Sequence, residues 1–282
     1  KPETTPPASL PALPVFENWQ EIFSGKLRVK FEALLPEYLR SQAWFFSRDK
    51  TIKLAAIRET FSVPLPDETV VVLAFVQVEF VDTNPELYAL PLAFSPGGDG
   101  PARAGGIVEL TAQTGGQRGV VGDAFGFPAF AKALLELIRL RERIHNGQGE
   151  IEATNMPALR QILNGGIPAE PVVCGTAEGN VTLFFGDKLA LKFFRRLETG
   201  VNPELEIGRF LTERNFAHSP ALLGALECAG TGCGPVTLAV AKAFIPHAQN
   251  AWEFILDSIS RYYDRVFADA AQGHAPPATP GE

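Results

Sequence analysis

The sequence lacks the features that mark several classes of protein. It has 25 basic against 32 acidic residues, a formal charge of -7 and no basic stripe. This excludes a nucleic-acid partner, because binding a phosphate backbone requires a basic footprint that releases counterions. Long apolar runs are also missing: Val70 to Val76 falls far short of the roughly 20 residues of a membrane-spanning helix, so no membrane partner is expected.

Cysteine is scarce as well. Cys174, Cys228 and Cys233 are too few and odd in number for a disulfide framework, which indicates a reducing compartment, with the cytoplasm as the expected location. Cys228 and Cys233 have no matching His or Cys pair nearby, and His218 and His247 are scattered. The pattern therefore predicts no metal site in this chain.

The two ends share a composition of prolines and small residues. Residues 1–14 are interpreted as an interdomain linker and residues 269–282 as a disordered tail, since neither has apolar groups to pack. Their position favours a piece of a longer polypeptide, and a natural chain with two frayed ends is the alternative.

Between these ends the sequence predicts an α+β protein with two domains. In the first, residues 15–147, helical spacing of apolar residues predicts helices at 31–43 and 128–144, and a run rich in β-branched residues predicts a strand at 68–81. The first domain is thus a sheet with flanking helices.

The second predicted domain, residues 148–250, has five strands with a helix after the third. The strands are expected at 172–174, in a hairpin over 181–195 that turns at Gly186, at 221–226 and at 236–245. Asn202 and Pro203 suit the N-cap and first position of the helix, which runs to about residue 214. A further helix is predicted over 251–268.

A strand lysine and a helix glutamate in this layout are candidates for phosphate binding. Lys192 lies within the apolar third strand, and Glu206 follows it on the helix at a spacing that suits the ion pair of protein-kinase-like enzymes. An ammonium group can neutralise phosphate charge only if another group fixes its flexible stem. The alternative is a lysine that reaches solvent and a glutamate that stabilises a helix N-terminus.

Two further segments are weaker candidates. The turn from Gly175 to Thr182 could approach phosphates with backbone N–H groups and a hydroxyl, although most short glycine turns are ordinary hairpins. The segment 241–246 leaves the last strand where a hinge between kinase lobes would bind adenine through its backbone, or it is an ordinary strand end. No catalytic residue is predicted, because no aspartate cluster that could orient a hydroxyl or hold Mg²⁺ follows residue 245.

Three stretches together resemble the maltokinase family, including the kinase portion fused behind trehalose synthase in many bacteria. They are LPEYLRSQAWF at 35–45, GDAFGFPAF at 122–130, and the segment 180–213 with its core KFFRRLETGVNPELEIGRFL. The resemblance runs from about Trp19 to Phe267. It implies an N-terminal cap domain followed by a kinase-like N-lobe, with the helix at 251–268 leading to a catalytic lobe that this chain lacks.

The resemblance further implies an ATP- and Mg²⁺-dependent transferase that phosphorylates maltose, or a related sugar, at its anomeric hydroxyl. ATP would be bound by Lys192, Glu206, Asn180, Thr182, Ala243 and Ile245, with the Mg²⁺ and sugar ligands in the absent lobe. A neighbouring trehalose synthase or amylase-type domain would be a partner. The family's Gln-Glu at the hinge is Lys242-Ala243 here.

Two other functions stay open. A non-catalytic scaffold or regulatory module could keep the kinase-like fold to dock a neighbouring amylase-type domain. A phosphotransferase of the aminoglycoside type could act on another small hydroxyl compound.

Overall fold

The computed structural model describes residues 10–66, 69–97, 105–113, 115–164, 166–167, 171–175, 179–230, 234–246 and 251–271. The chain divides into two compact units, Lys1–Phe244 and Ile245–Glu282. Within the described part of the first unit, the strands form two seven-stranded sheets. The mixed α+β class is therefore confirmed.

Six strands of the first sheet form its main path: β1 (Ala12–Val15), β2 (Ile52–Pro64), β3 (Val70–Phe80), β4 (Glu86–Pro96), β5 (Gly106–Ala112) and β6 (Gly119–Asp123). Their order is β1-β5-β6-β4-β3-β2, and a seventh strand, described below, pairs with β4. β1 and β5 are parallel and the other neighbours are antiparallel. Ala12–Val15 is thus a paired strand at the end of the segment predicted as a linker, whose residues 1–9 lie outside the described ones.

Helices cover both faces of this sheet. α1 (Gly25–Ser41) packs with alternate residues of β3, such as Val72 and Val76, and the intervening Leu73 and Phe75 belong to a second core that includes α2 (Pro128–Leu140). The strand is therefore buried on both faces, as its run of apolar residues predicts. Short 3-10 helices lie at Trp19–Phe23, Phe46–Asp49 and Ala124–Gly126.

The predicted end of the second helix at residue 144 is wrong. α2 ends at Leu140, because Arg141 adopts the left-handed conformation with φ 56°. In that conformation its N–H can bond back to the carbonyls of the last turn while the chain leaves the helix axis. The next residues start the second sheet instead of extending the helix.

The elements of the next part are β7 (Arg143–His145), β8 (Gly149–Asn155), α3 (Pro157–Ile162), β9 (Val172–Gly175), β10 (Val181–Phe185), β11 (Leu189–Phe193), β12 (Arg196–Leu197), α4 (Pro203–Glu213), β13 (Leu222–Gly230) and β14 (Val236–Ala243). All of these strands except β12 form the second sheet, which is antiparallel and has the order β7-β8-β13-β14-β11-β10-β9. It contains the five predicted strands and two more, β7 and β8, from residues before them.

β12 connects the two sheets, because it pairs with β4 of the first sheet. Next to it, the N–H of Ala89 donates to the carbonyl of Arg195 at 2.7 Å. The chain that continues from β11, the strand of Lys192, therefore pairs with the first sheet only a few residues later. The division into a cap domain and a kinase-like N-lobe at residue 147 stays a prediction.

The second unit contains α5 (Ala251–Ala271). It ends three residues after the predicted end at 268, so residues 269–271 are helical, contrary to the prediction of a disordered tail from 269 onward. Its large apolar side chains are exposed, among them Trp252, Phe254, Tyr263 and Phe267. No helix among the described residues is both long and apolar enough to cross a membrane.

Candidate functional site

The hairpin of β10 and β11 has one buried face and one half-open face. Leu183 and Leu191 are fully buried, as are the other residues of their phase, Phe185, Leu189 and Phe193. The intervening residues, Thr182 and Lys192 among them, are half-buried. Strict alternation of this kind is what a strand with one face on the core produces. It places Lys192 on the half-open face.

α4 begins at a defined point beside this face. The side chain of Asn202 accepts a hydrogen bond from the N–H of Glu204 at 2.8 Å, and Pro203 occupies the first helical position, as predicted. Leu205 and Gly208 are the buried residues of the helix. Because residues four apart share a face, Glu204 lies on the same side as Gly208, toward the sheet.

Two lysines converge on the carboxylate of Glu204. Lys192 Nζ lies 2.8 Å from Oε2, and Lys242 Nζ, from β14, lies 2.8 Å from Oε1. The three side chains are 26 to 29% exposed, so they are partly shielded from water and still accessible to a ligand. Lys192 Nζ also lies 5.4 Å from the ring centroid of Phe194.

The predicted pairing of Lys192 with Glu206 is wrong: the structure pairs Lys192 with Glu204. Glu206 is exposed. Two residues along an α-helix correspond to a rotation of about 200°, so these two glutamates point to nearly opposite sides and only one can face the strand. In the sequence, the small residue Gly208 four positions after Glu204 favours that face for packing, but a single glycine does not decide between the two glutamates.

The environment lowers the pKa of Glu204. Burial by itself would raise the pKa, but the hydrogen bonds and charges of Lys192 and Lys242 outweigh that effect and favour the carboxylate. Glu204 therefore stays ionised at neutral pH and holds both ammonium groups. The arrangement is a fixed carboxylate with two positive charges beside it on an accessible sheet face.

Two of the other predicted site residues, Asn180 and Thr182, lie at the start of β10. Thr182 is directly opposite Lys192 in the pairing of β10 with β11, and Asn180 precedes β10 and is half-buried. Residues 176–178 of the predicted phosphate turn lie outside the described residues. Thr182 is thus close to Lys192 across the two paired strands. The ATP contacts predicted for Asn180 and Thr182 stay predictions.

Ala243 is the last residue of β14, and its N–H donates to the carbonyl of Ala221 at 2.9 Å. The backbone group that it could offer to adenine is therefore its carbonyl. Phe244 donates its N–H to the carbonyl of Lys188 at 3.0 Å. The first compact unit ends there, and Ile245, which is about half exposed, begins the second unit. Adenine binding by this segment stays a prediction.

Arg195, three residues after Lys192, forms a second charged pair. The guanidinium of Arg195, buried to all but 4% of its side chain, is bonded to the carboxylate of Asp123. It is also covered by the rings of Trp44 and Phe125, at 4.4 and 5.0 Å from their centroids. A planar, weakly hydrated cation suits such a site between aromatic faces. Sequence reasoning did not identify this residue.

The comparisons with known proteins give a partial likeness. No family model matches the chain. One similar solved structure is "Glucosamine kinase in complex with glucosamine, ADP and inorganic phosphate", with 16% identity over 80% of this chain and a TM-score of 0.46. Another is "Glucosamine kinase (crystal form A)", with 15% identity over 80% and a TM-score of 0.45. This chain spans 44 and 45% of their lengths.

Proposed function

We propose that the chain is the nucleotide-binding part of an ATP-dependent sugar kinase whose acceptor is maltose. The observation that carries the proposal is the Lys192–Glu204 ion pair, held across the gap between a sheet and a capped helix on an accessible face. Transfer of a phosphoryl group needs positive charge fixed beside the phosphates, because the reaction spreads negative charge over their oxygens. Lys192 would supply that charge, and Glu204 would fix its stem.

The surroundings of the pair fit a bound nucleotide. Thr182, opposite Lys192 on the neighbouring strand, would offer a hydroxyl to a phosphate oxygen, with Asn180 just before the strand. The backbone carbonyl of Ala243, the last residue of β14, would meet adenine. Glu206 would contribute no ion pair to Lys192, since it faces the other way.

The remaining chemistry would be supplied by a catalytic lobe beyond this chain. Such a lobe would bind Mg²⁺ and maltose and carry the aspartate that accepts the proton of the acceptor hydroxyl. A neighbouring trehalose synthase or amylase-type domain would supply or share the sugar.

Nucleotide binding is tested by calorimetry on the purified chain with Mg-ATP, comparing the native sequence with Lys192→Met. The native chain should bind ATP, and the variant should lose about tenfold or more in affinity, which corresponds to one hydrogen bond between charged groups. Lys53→Met is the matched control, since Lys53 is 67% exposed on the first sheet. Equal affinity of Lys192→Met and the control would overturn the assignment of Lys192.

The acceptor is tested in the complete gene product by measuring ADP release with maltose, glucosamine and an aminoglycoside. Maltose should support the fastest release, and Lys192→Met should abolish most of it. Turnover of an aminoglycoside with inert maltose would instead favour the phosphotransferase alternative. Binding of an amylase-type domain without any turnover would favour the scaffold alternative.

A further inference from the structure

We infer that Lys242 is a second phosphate-binding residue, which forms with Lys192 a two-lysine cradle for the polyphosphate chain of a nucleoside triphosphate. The inference rests on the proposed function. It assigns a role to Lys242, which the proposed function does not use.

The first step is placement. In the strand pairing Lys242 lies opposite Ala190, and Lys192 lies opposite Val240. Lys242 and Lys192 are thus diagonal neighbours on the same half-open face of adjacent strands, where long side chains reach each other. Their ammonium groups are held by the two oxygens of one carboxylate, each at 2.8 Å.

The second step is charge. The carboxylate of Glu204 contacts both ammonium groups, each through a different oxygen, so it holds two positive charges side by side. Adjacent phosphates of a triphosphate carry separate negative charges and can each accept a hydrogen bond from a different ammonium. A pair of neighbouring lysines therefore suits a polyphosphate better than a single phosphate.

The third step is order. α4 packs against β13 and β14 at Gly208: a Cβ at that position would lie 3.9 Å from Cε of Lys242 and 3.7 Å from a methyl group of Leu222, both ordinary van der Waals contacts. The stem of Lys242 therefore lies along the helix, and its side chain is only 28% exposed. A stem that is already ordered loses less conformational entropy when the ammonium binds a phosphate.

The test is calorimetry on the chain with adenosine, Mg-ADP and Mg-ATP, comparing the native sequence with Lys242→Met and Lys242→Gln. Both variants should weaken ATP binding by about tenfold, weaken ADP binding less, and leave adenosine unchanged, because each removes one charged hydrogen bond to the phosphates. Thermal unfolding of the variants establishes that they are folded. Unchanged ATP affinity in both variants, beside a loss in Lys192→Met, would overturn the role of Lys242 and leave the proposed function intact.

A double-mutant cycle with Glu204→Gln separates direct binding from an effect through Glu204. If Lys242 binds phosphate, Lys242→Met weakens ATP binding in the Glu204→Gln background as well. If it only holds Glu204 in place, the effect disappears in that background and the inference is wrong. Failure of the native chain to bind ATP at all would overturn the proposed function itself.

Discussion

The two charged clusters that flank Phe194 differ in what surrounds them. Arg195 keeps only 4% of its side chain exposed and Asp123 14%, and aromatic rings cover the guanidinium. Lys192, Glu204 and Lys242 keep more than a quarter of each side chain exposed. A buried pair stabilises a fold only as long as both partners remain, whereas a half-open cluster can exchange partners with a ligand. This difference is why we propose a structural role for the first cluster and a binding role for the second.

The largest effect is expected from Arg195→Met. It should lower the free energy of unfolding by about 3–5 kcal/mol, because it leaves the carboxylate of Asp123 in a poorly solvated site without its cation. Denaturant unfolding of the purified chain measures the loss. Arg196→Met is the matched control, since this neighbouring arginine is 46% exposed and lies 3.8 Å from Glu86. Similar losses in both variants would mean that burial does not distinguish the two sites.

A smaller effect is expected from Glu204→Gln, and it should depend on pH. The pKa of Glu204 is below its ordinary value of 4.5 in the folded protein, so its contribution to stability is fully present above that value. The contribution is lost as the pH falls through the folded pKa, because protonation then favours the unfolded chain. We expect the variant to be about 1 kcal/mol less stable at neutral pH, with the difference closing in acid.

Glu206→Gln provides the control for that pH series, because Glu206 is on the same helix and exposed. Its unfolding curve should follow that of the native chain at every pH. A pH-dependent difference for Glu206→Gln as large as that for Glu204→Gln would contradict the assignment of Glu204 as the partner of the two lysines.

The smallest effect on stability is expected from Lys242→Met. An ion pair with partly exposed partners contributes roughly 0–1 kcal/mol, so the midpoint of thermal unfolding should shift little. A loss of stability comparable to that of Arg195→Met would show that the half-open cluster is a structural clamp. The comparison between the two clusters would then fail.

The strands β10 and β11 of the second sheet were predictable because their side chains alternate between a buried and a half-buried face. β10 and β11 follow that alternation without interruption. β2 has thirteen residues and was nevertheless missed. Its pairing with β3 shifts register between Ile52 and Leu54 and again between Ile57 and Glu59. The first shift interrupts the alternation at Lys53 and Leu54, and from Ala55 to Val63 alternate residues are buried again. One of those buried positions is Glu59, where the pattern of a half-buried strand calls for an apolar residue.

The site was only partly predictable for a related reason. The position of Lys192 in the third strand and the cap at Asn202 followed from local patterns. The choice between Glu204 and Glu206 depended on the rotation of α4 against the sheet. That rotation buries Leu205 and Gly208, and it is set by packing between elements, which a local pattern does not contain. Lys242 and Arg195 have partners far along the chain, and no local pattern identifies such contacts.

The short passage from β11 to β12 has a mechanical consequence. Only Phe194 and Arg195 lie between the strand of Lys192 and the strand that joins the first sheet. Two residues provide almost no slack, so a displacement of Lys192 along its strand would pull on β4. The first sheet would then resist such movement, and strain arising at Lys192 would be transmitted to β4.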